Sequence, residues 1–257
     1  KPLKSLEIYG NVSQNYRSVT FNDIRITNPS LVVDPNITDE QGYTFDLGAR
    51  GRFGKYLSYD IGGFFLSYQD RLGVIVREVS DIQEERFRGN IGDAVTYGLE
   101  SFVDWNIMET FSANRNFRMN YFVNLAITDS EYTSSEENNV EGKNVEFIPA
   151  INLKTGLGFG YKNFLGSLQY TYLSKQFTDA TNSERDFESQ SGIVGEIPAY
   201  DILDLSLAYT FGRFKLESGI NNVLDNSYFT RRATGYPGPG ILPSQPRTWY
   251  TTLQIKI

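Results

Sequence analysis

Apolar residues recur at every second position through most of this chain, and that period constrains the fold more than any other feature of the sequence. A period of two places successive side chains on opposite faces of an extended strand. In the last run, Trp249, Thr251, Leu253, Ile255 and Ile257 share one face, and Tyr250, Thr252, Gln254 and Lys256 the other. Residues 203–211 set Leu203, Leu205, Leu207, Tyr209 and Phe211 against Asp204, Ser206, Ala208 and Thr210. In 117–128, Phe117, Met119, Tyr121, Val123, Leu125 and Ile127 oppose Arg118, Asn120, Asn124 and Thr128, with Phe122 as the exception. The same reading fits 6–17, 43–52, 94–105, 151–161, 164–173 and 214–221. Residues 56–75 are strand-like but lose the alternation near "GGFF", where a β-bulge is expected.

That makes ten strands, and the connections between them alternate in length. Those near 51–56, 106–116, 161–164 and 211–214 are mostly tight, while 18–42, 76–88, 130–147, 177–199 and 229–246 are long and polar. An antiparallel meander therefore collects its tight turns at one end and its long loops at the other. The second face is rich in Gly, Asn, Asp, Ser, Lys and Arg, which leaves little for a second sheet to pack against. In a transmembrane barrel such a face lines a wet lumen and the apolar face meets lipid. Phe53, Tyr56, Trp105, Phe111, Phe117, Tyr161, Phe164, Phe211 and Phe214 gather beside the tight turns, as an interfacial girdle would. The fold class expected is all-β, a transmembrane antiparallel up-and-down β-barrel, with 1–257 as one barrel portion. The last strand of such a barrel pairs with the first to remove the open edge.

Composition narrows the function. The chain has neither Cys nor His, which removes thiolate and imidazole nucleophile chemistry and His-ligated zinc. Its net charge of −7, without a basic run through aromatics, gives nucleic acid no footprint. No apolar stretch is long enough for a transmembrane helix, and the opening "KPLKSLEIYG" lacks the apolar region of a signal peptide. Glu84/Glu85 and Glu136/Glu137 are carboxylate pairs in solvated loops, and "GYPGPG" (235–240) lacks the Lys-Ser/Thr of a phosphate loop, so no catalysis is expected.

Particular strings then point to a family. "GINNVLDNSYFTRR" (219–232) resembles the penultimate-strand motif of TonB-dependent outer-membrane receptors. "IYGNVSQNYRSVTFNDI" (8–24), "VVDPNITDEQGYTFDLGARG" (32–51) and "YDIGGFFLSYQDRLG" (59–73) resemble strands of its ferric-citrate branch. The resemblance implies a barrel of about 22 strands around an N-terminal plug. About ten C-terminal strands would lie in this chain and the plug outside it. It also implies periplasmic tight turns, extracellular long loops and a Gram-negative outer membrane. The partners implied are TonB with ExbB/ExbD acting through the plug, outer-membrane lipid and lipopolysaccharide, and an iron chelate as substrate, without a cofactor of the protein's own. The family favours a terminal aromatic residue, and this chain has Ile257.

A citrate-type ferric chelate is anionic and calls for cationic donors, arginine above all. The ligand-binding candidates are Arg77, Arg86 and Arg88 around 76–88, and Arg231, Arg232 and Arg247 around the last loop, with Tyr228 and Tyr236 as hydroxyl donors. Against an anion stand Asp129, Glu131, Glu136, Glu137, Glu141 and Glu146. Arg50, Arg52, Glu100, Arg118, Lys154 and Glu217 fall on the second face and are the plug-contact candidates. The alternatives are a passive porin or adhesin barrel, a soluble glycan-binding module, and a receptor of this family for haem, cobalamin or an oligosaccharide.

Overall fold

The computed structural model describes residues 5–26, 31–80, 83–111, 116–184, 192–193, 195–233 and 240–257. In chain order the elements are β1 (Leu6–Arg17), α1 (Phe21–Ile24), β2 (Leu31–Val33), β3 (Glu40–Phe53), β4 (Leu57–Ser80), β5 (Gln83–Asn106), α2 (Ile107–Phe111) and β6 (Phe117–Ser134). There follow β7 (Ile151–Tyr161), β8 (Phe164–Leu173), β9 (Tyr200–Phe211), β10 (Phe214–Asn221), β11 (Phe229–Ala233), β12 (Gly240–Pro243) and β13 (Thr248–Ile255). Ten of these strands form one antiparallel sheet in the order β1-β3-β4-β5-β6-β7-β8-β9-β10-β13. They are the ten expected from the alternation. Short β2 lies parallel to β5, and β11 and β12 form a separate ribbon.

Register carries the two faces across the sheet without a break. Val12, Phe45, Phe65 and Tyr97 are successive cross-strand partners, and so are Leu207, Ser218 and Thr251 further along. On this outer face apolar side chains stand in the open: Val12 is 69% exposed, Leu47 67%, Leu99 61% and Leu253 57%. A soluble sandwich would bury those rows, so the sheet is a wall of a membrane barrel, with lipid as the outer solvent. At the tight-turn end the outer rings touch one another. Phe117 and Tyr161 stand 4.6 Å apart, Phe211 and Phe214 5.4 Å, and Trp105 and Phe111 5.9 Å.

Two expectations are corrected. First, 76–88 is not a long loop, because β4 and β5 continue as a paired hairpin to Ser80↔Gln83. The β-branched run "VIV" (74–76) extends the strand beyond the membrane-height rows. Second, "GGFF" carries no bulge: Gly62, Gly63, Phe64 and Phe65 pair in step with Gly48, Leu47, Asp46 and Phe45. The register shift lies at Tyr68–Leu72, where Asp70 takes a φ of 53°. As expected of about ten strands of a larger barrel, β13 pairs with β10 and β1 with β3, and among the described residues the two edge strands do not pair with each other. The sheet is therefore a segment of a barrel wall.

Phe122, the exception in the alternation, lies on the inner face directly opposite Gly156, whose Cβ would come within 2.6 Å of its ring. The inner face repeats this device with Tyr9 over Gly48, Phe64 over Gly98 and Tyr250 over Gly219. A large ring lies flat over the strand where its neighbour has no side chain.

The buried apolar cluster sits at the long-loop end. Ile75, Phe87, Ile91, Ala94, Tyr132, Val140, Val145 and Ala180 pack together there, drawing on the tall hairpin of β4 and β5, the end of β6 and the loops that follow β6 and β8.

Candidate functional site

Beside that cluster, a cavity of about 440 Å³ opens between the ends of β1 and β3, the stretches of β4 and β5 around Arg71–Val74 and Arg88, and the loops, lined by Arg17, Asp23, Glu40, Arg71, Arg88 and Glu146 among others. Arg17 is the last inner-face residue of β1 and is opposite Glu40, the first of β3. Its two terminal nitrogens bind Glu40 Oε1 at 3.0 Å and Asp23 Oδ1 at 2.7 Å. Asp23 is held in turn by α1, where its Oδ2 accepts from the Thr20 amide at 2.8 Å and hydroxyl at 2.6 Å. Burial would raise the Asp23 carboxyl, but the Thr20 and Arg17 hydrogen bonds outweigh it and hold the group below its ordinary range. Glu40 Oε1 also accepts the Leu72 amide at 2.7 Å, tying β3 to the register shift in β4.

That shift turns Arg71 toward the loops. Its guanidinium lies 5.2 Å from the centre of the Tyr68 ring and 3.9 Å from Glu146 Oε1, and its buried Nε has no hydrogen-bond partner. Glu146 Oε2 accepts from the Tyr132 hydroxyl at 2.8 Å. Burial pushes the Glu146 carboxyl above its ordinary range, although Arg71 and the Tyr132 hydrogen bond act against it. Gly73 makes room for this arrangement, since a Cβ there would lie 2.8 Å from Glu146 Oε1. Arg88 closes the rim by donating to the Asn22 carbonyl at 2.8 Å.

Of the seven expected ligand contacts among the described residues, Arg88 alone lines this cavity. Arg77 stacks 3.4 Å over Phe87 and pairs with Glu137. Burial and the neighbouring Arg88 push the Arg86 guanidinium below its ordinary value, with Asp179 opposing. Arg232 donates to the Glu196 carbonyl from two nitrogens and to the Gly192 carbonyl at 2.8 Å, and so fastens the loop before β9 to β11. Arg247 donates to the Val223 carbonyl at 3.0 Å and lies 3.8 Å from Asp225. Tyr228 stacks on Tyr200 at 4.8 Å, Arg231 is exposed on β11, and Tyr236 lies outside the described residues. Arg17, Arg71, Asp23 and Glu40 were not singled out from the sequence, and Glu146 was read there only as a loop charge. In sequence the alternation is lost near "GGFF", whereas the register shift that re-aims Arg71 lies at Tyr68–Leu72.

The plug-contact candidates share the inner face. Register places Arg50 opposite Asp60, Glu100 opposite Gly62, Arg118 opposite Gly160, Lys154 opposite Asn124 and Glu217 opposite Ala208. Arg52 is opposite Ser58, two residues along β3 from Arg50. Two recesses indent that face. One, of about 380 Å³, is lined by Glu7, Arg50, Arg52 and Asp60, and the other, of about 390 Å³, by Arg118, Asn120, Glu217 and Tyr250. Gly158 of β7 lines the second of these, with Gly156 and Gly160 on either side of it along the strand. Among the described residues, no group of three or more carboxylates is placed to hold a metal ion.

Residues 1–223 match the family described as TonB dependent receptor-like, beta-barrel. Among solved structures, the chain resembles the ferric citrate transporter FecA in its unliganded form, with 23% identity, a TM-score of 0.76 and coverage of 99% of this chain and 36% of that one. It also resembles the ferric yersiniabactin uptake receptor FyuA from Yersinia pestis, with 17% identity, a TM-score of 0.72 and coverage of 98% and 35%. The copper transporter OprC gives 17% identity, a TM-score of 0.71 and coverage of 98% and 37%. At these identities the likeness is one of fold. The chain spans about a third of the length of each of the three.

Proposed function

Because the chain belongs to the family of TonB-dependent receptor β-barrels, we propose that it forms part of the barrel wall of an outer-membrane receptor that takes up a ferric chelate. TonB, with ExbB and ExbD, would drive transport through a plug outside this chain. The plug would rest on the inner face through Arg50, Arg52, Glu100, Arg118, Lys154 and Glu217. Substrate would be met at the long-loop end, at the cavity between Arg17, Arg71 and Arg88.

That cavity is the observation that carries the reading. It brings three arginines together at the mouth of a polar inner face, and arginine forks suit the carboxylates of a citrate-type chelate. Three carboxylates stand beside them, so an anion gains most where a buried acid is protonated or displaced from its arginine. FecA is a ferric citrate transporter and FyuA a ferric yersiniabactin receptor, which supports an iron chelate as the cargo.

The test is uptake of iron-55 by cells whose only route for the supplied chelate is the full-length receptor. Ferric citrate should accumulate in a TonB-dependent manner, and Arg88→Gln should weaken the apparent affinity about tenfold, the order of one lost charged hydrogen bond. Uptake of no ferric chelate by a surface-expressed receptor would overturn the reading.

A further inference from the structure

The tight-turn end carries a cation in three of its four connections and after the last strand, while among the described residues the fourth connection, at α2, carries the acid Glu109. Lys55 lies between β3 and β4, Lys162 between β7 and β8, Arg213 between β9 and β10, and Lys256 just after β13. All four are exposed, and among the described residues none forms an ion pair. Each stands next to the aromatic or apolar rim of the outer face. The Lys162 ammonium lies 5.3 Å from the centre of the Tyr161 ring, itself 4.6 Å from Phe117. Arg213 lies between the stacked Phe211 and Phe214, and its carbonyl accepts the Lys256 amide at 2.9 Å, which brings two cations to neighbouring strands. Lys55 lies between the exposed rings of Phe53 and Tyr56.

The other end of the same outer face has the opposite sign. Asp129 and Glu131 stand exposed there, with Asp129 accepting the Tyr97 hydroxyl at 2.9 Å, and Asp201 is the cross-strand partner of Tyr172. The net −7 of the chain hides this division.

From this charge pattern we infer that the tight-turn rim is a docking belt for anionic phospholipid headgroups, with Lys55, Lys162, Arg213 and Lys256 contacting phosphate while the adjoining rings sit in the interface. A cation on a flexible stem beside an interfacial ring reaches the headgroup level without leaving the apolar surface. Several such cations on one rim favour an anionic lipid over a zwitterionic one by summed attraction. The inference rests on the membrane-barrel reading above, and it goes further by naming the lipid class and the leaflet, the one on the tight-turn side.

The full-length receptor, released from micelles holding equal amounts of phosphatidylglycerol and phosphatidylcholine, would be weighed with its bound lipids by native mass spectrometry. Bound phosphatidylglycerol should exceed phosphatidylcholine by about threefold or more. The excess should vanish in the combined Lys55→Gln, Lys162→Gln, Arg213→Gln and Lys256→Gln variant, and persist in Lys143→Gln/Lys175→Gln, which alters cations at the long-loop end. Should the fourfold variant not fold, the unaltered receptor still decides, since its preference should collapse as ionic strength rises from about 0.05 M to about 0.5 M. Equal binding of both lipids, or a preference indifferent to the four substitutions and to salt, would overturn the inference. Insertion into vesicles, read as a heat-modifiable band on a gel, separates the two readings. A receptor that does not insert refutes the membrane barrel, and one that inserts without lipid preference refutes the belt alone.

Discussion

Arg71 and Glu146 show how much of the cavity depends on one ion pair beneath the loops. Burial raises the Glu146 carboxyl above its ordinary value of 4.5. An acid raised on folding binds its proton more tightly in the folded state. Its contribution is therefore fully present below 4.5 and is lost as pH climbs through the higher folded value. Asp23, held below its ordinary 3.8, has the opposite sign: its contribution is fully present above 3.8 and is lost only as pH falls through the lower folded value. Amide exchange of 140–147, corrected for intrinsic rates, should thus report a looser loop at pH 8 than at pH 5. Glu146→Gln should remove that dependence, and a pH profile shared by parent and variant would show that another group governs the loop. Arg71→Met, which strands the acid, should loosen the same loop by on the order of 3 kcal/mol at neutral pH. None of this was legible in sequence. Glu146 reads as one of several loop acids, and only the register shift at Tyr68–Leu72 brings Arg71 beneath it.

At the scale of the strand, the inner face is built from rings laid over glycines. Tyr9 covers Gly48, whose Cβ would come within 2.3 Å of the ring, and its hydroxyl donates to Asp60 at 2.7 Å. Gly48→Val should therefore cost about 1–3 kcal/mol by overpacking. Adding Tyr9→Ala should return part of that loss, because the two side chains compete for one space. Urea unfolding of the folded full-length receptor measures both, and strictly additive changes would mean that the ring does not occupy the glycine's site. The alternation located all ten strands of the main sheet because a period of two is a property of a strand by itself. It left Phe122 as an unexplained exception because the reason for that residue is Gly156 on the next strand, and register between strands is invisible from either one alone. The extension of β4 and β5 escaped for a related reason. Its polar tip reads as loop, and its pairing is apparent only across the hairpin.

On the scale of the whole molecule, two ends of opposite character follow from one meander. Tight turns gather the aromatic girdle and the exposed cations, while long loops gather the buried cluster and the arginine-lined cavity. Fold class and the polarity of the two faces were legible in sequence, since each rests on many residues repeating one pattern. The cavity was not, because its lining runs from Arg17 to Thr178 and converges only through strand order. The central claim is that these ends face opposite sides of an outer membrane, and because this chain has no cysteine, single cysteines placed in its loops report their own side once any cysteine elsewhere in the receptor is replaced by serine. Asn138→Cys, exposed in the loop after β6, and Asn163→Cys, in the turn between β7 and β8, would each be introduced into the full-length receptor and treated in intact cells with a membrane-impermeant maleimide. The account predicts labelling at 138 in intact cells and at 163 only after the outer membrane is permeabilised. Labelling at 163 in intact cells, or at both positions alike, would contradict it.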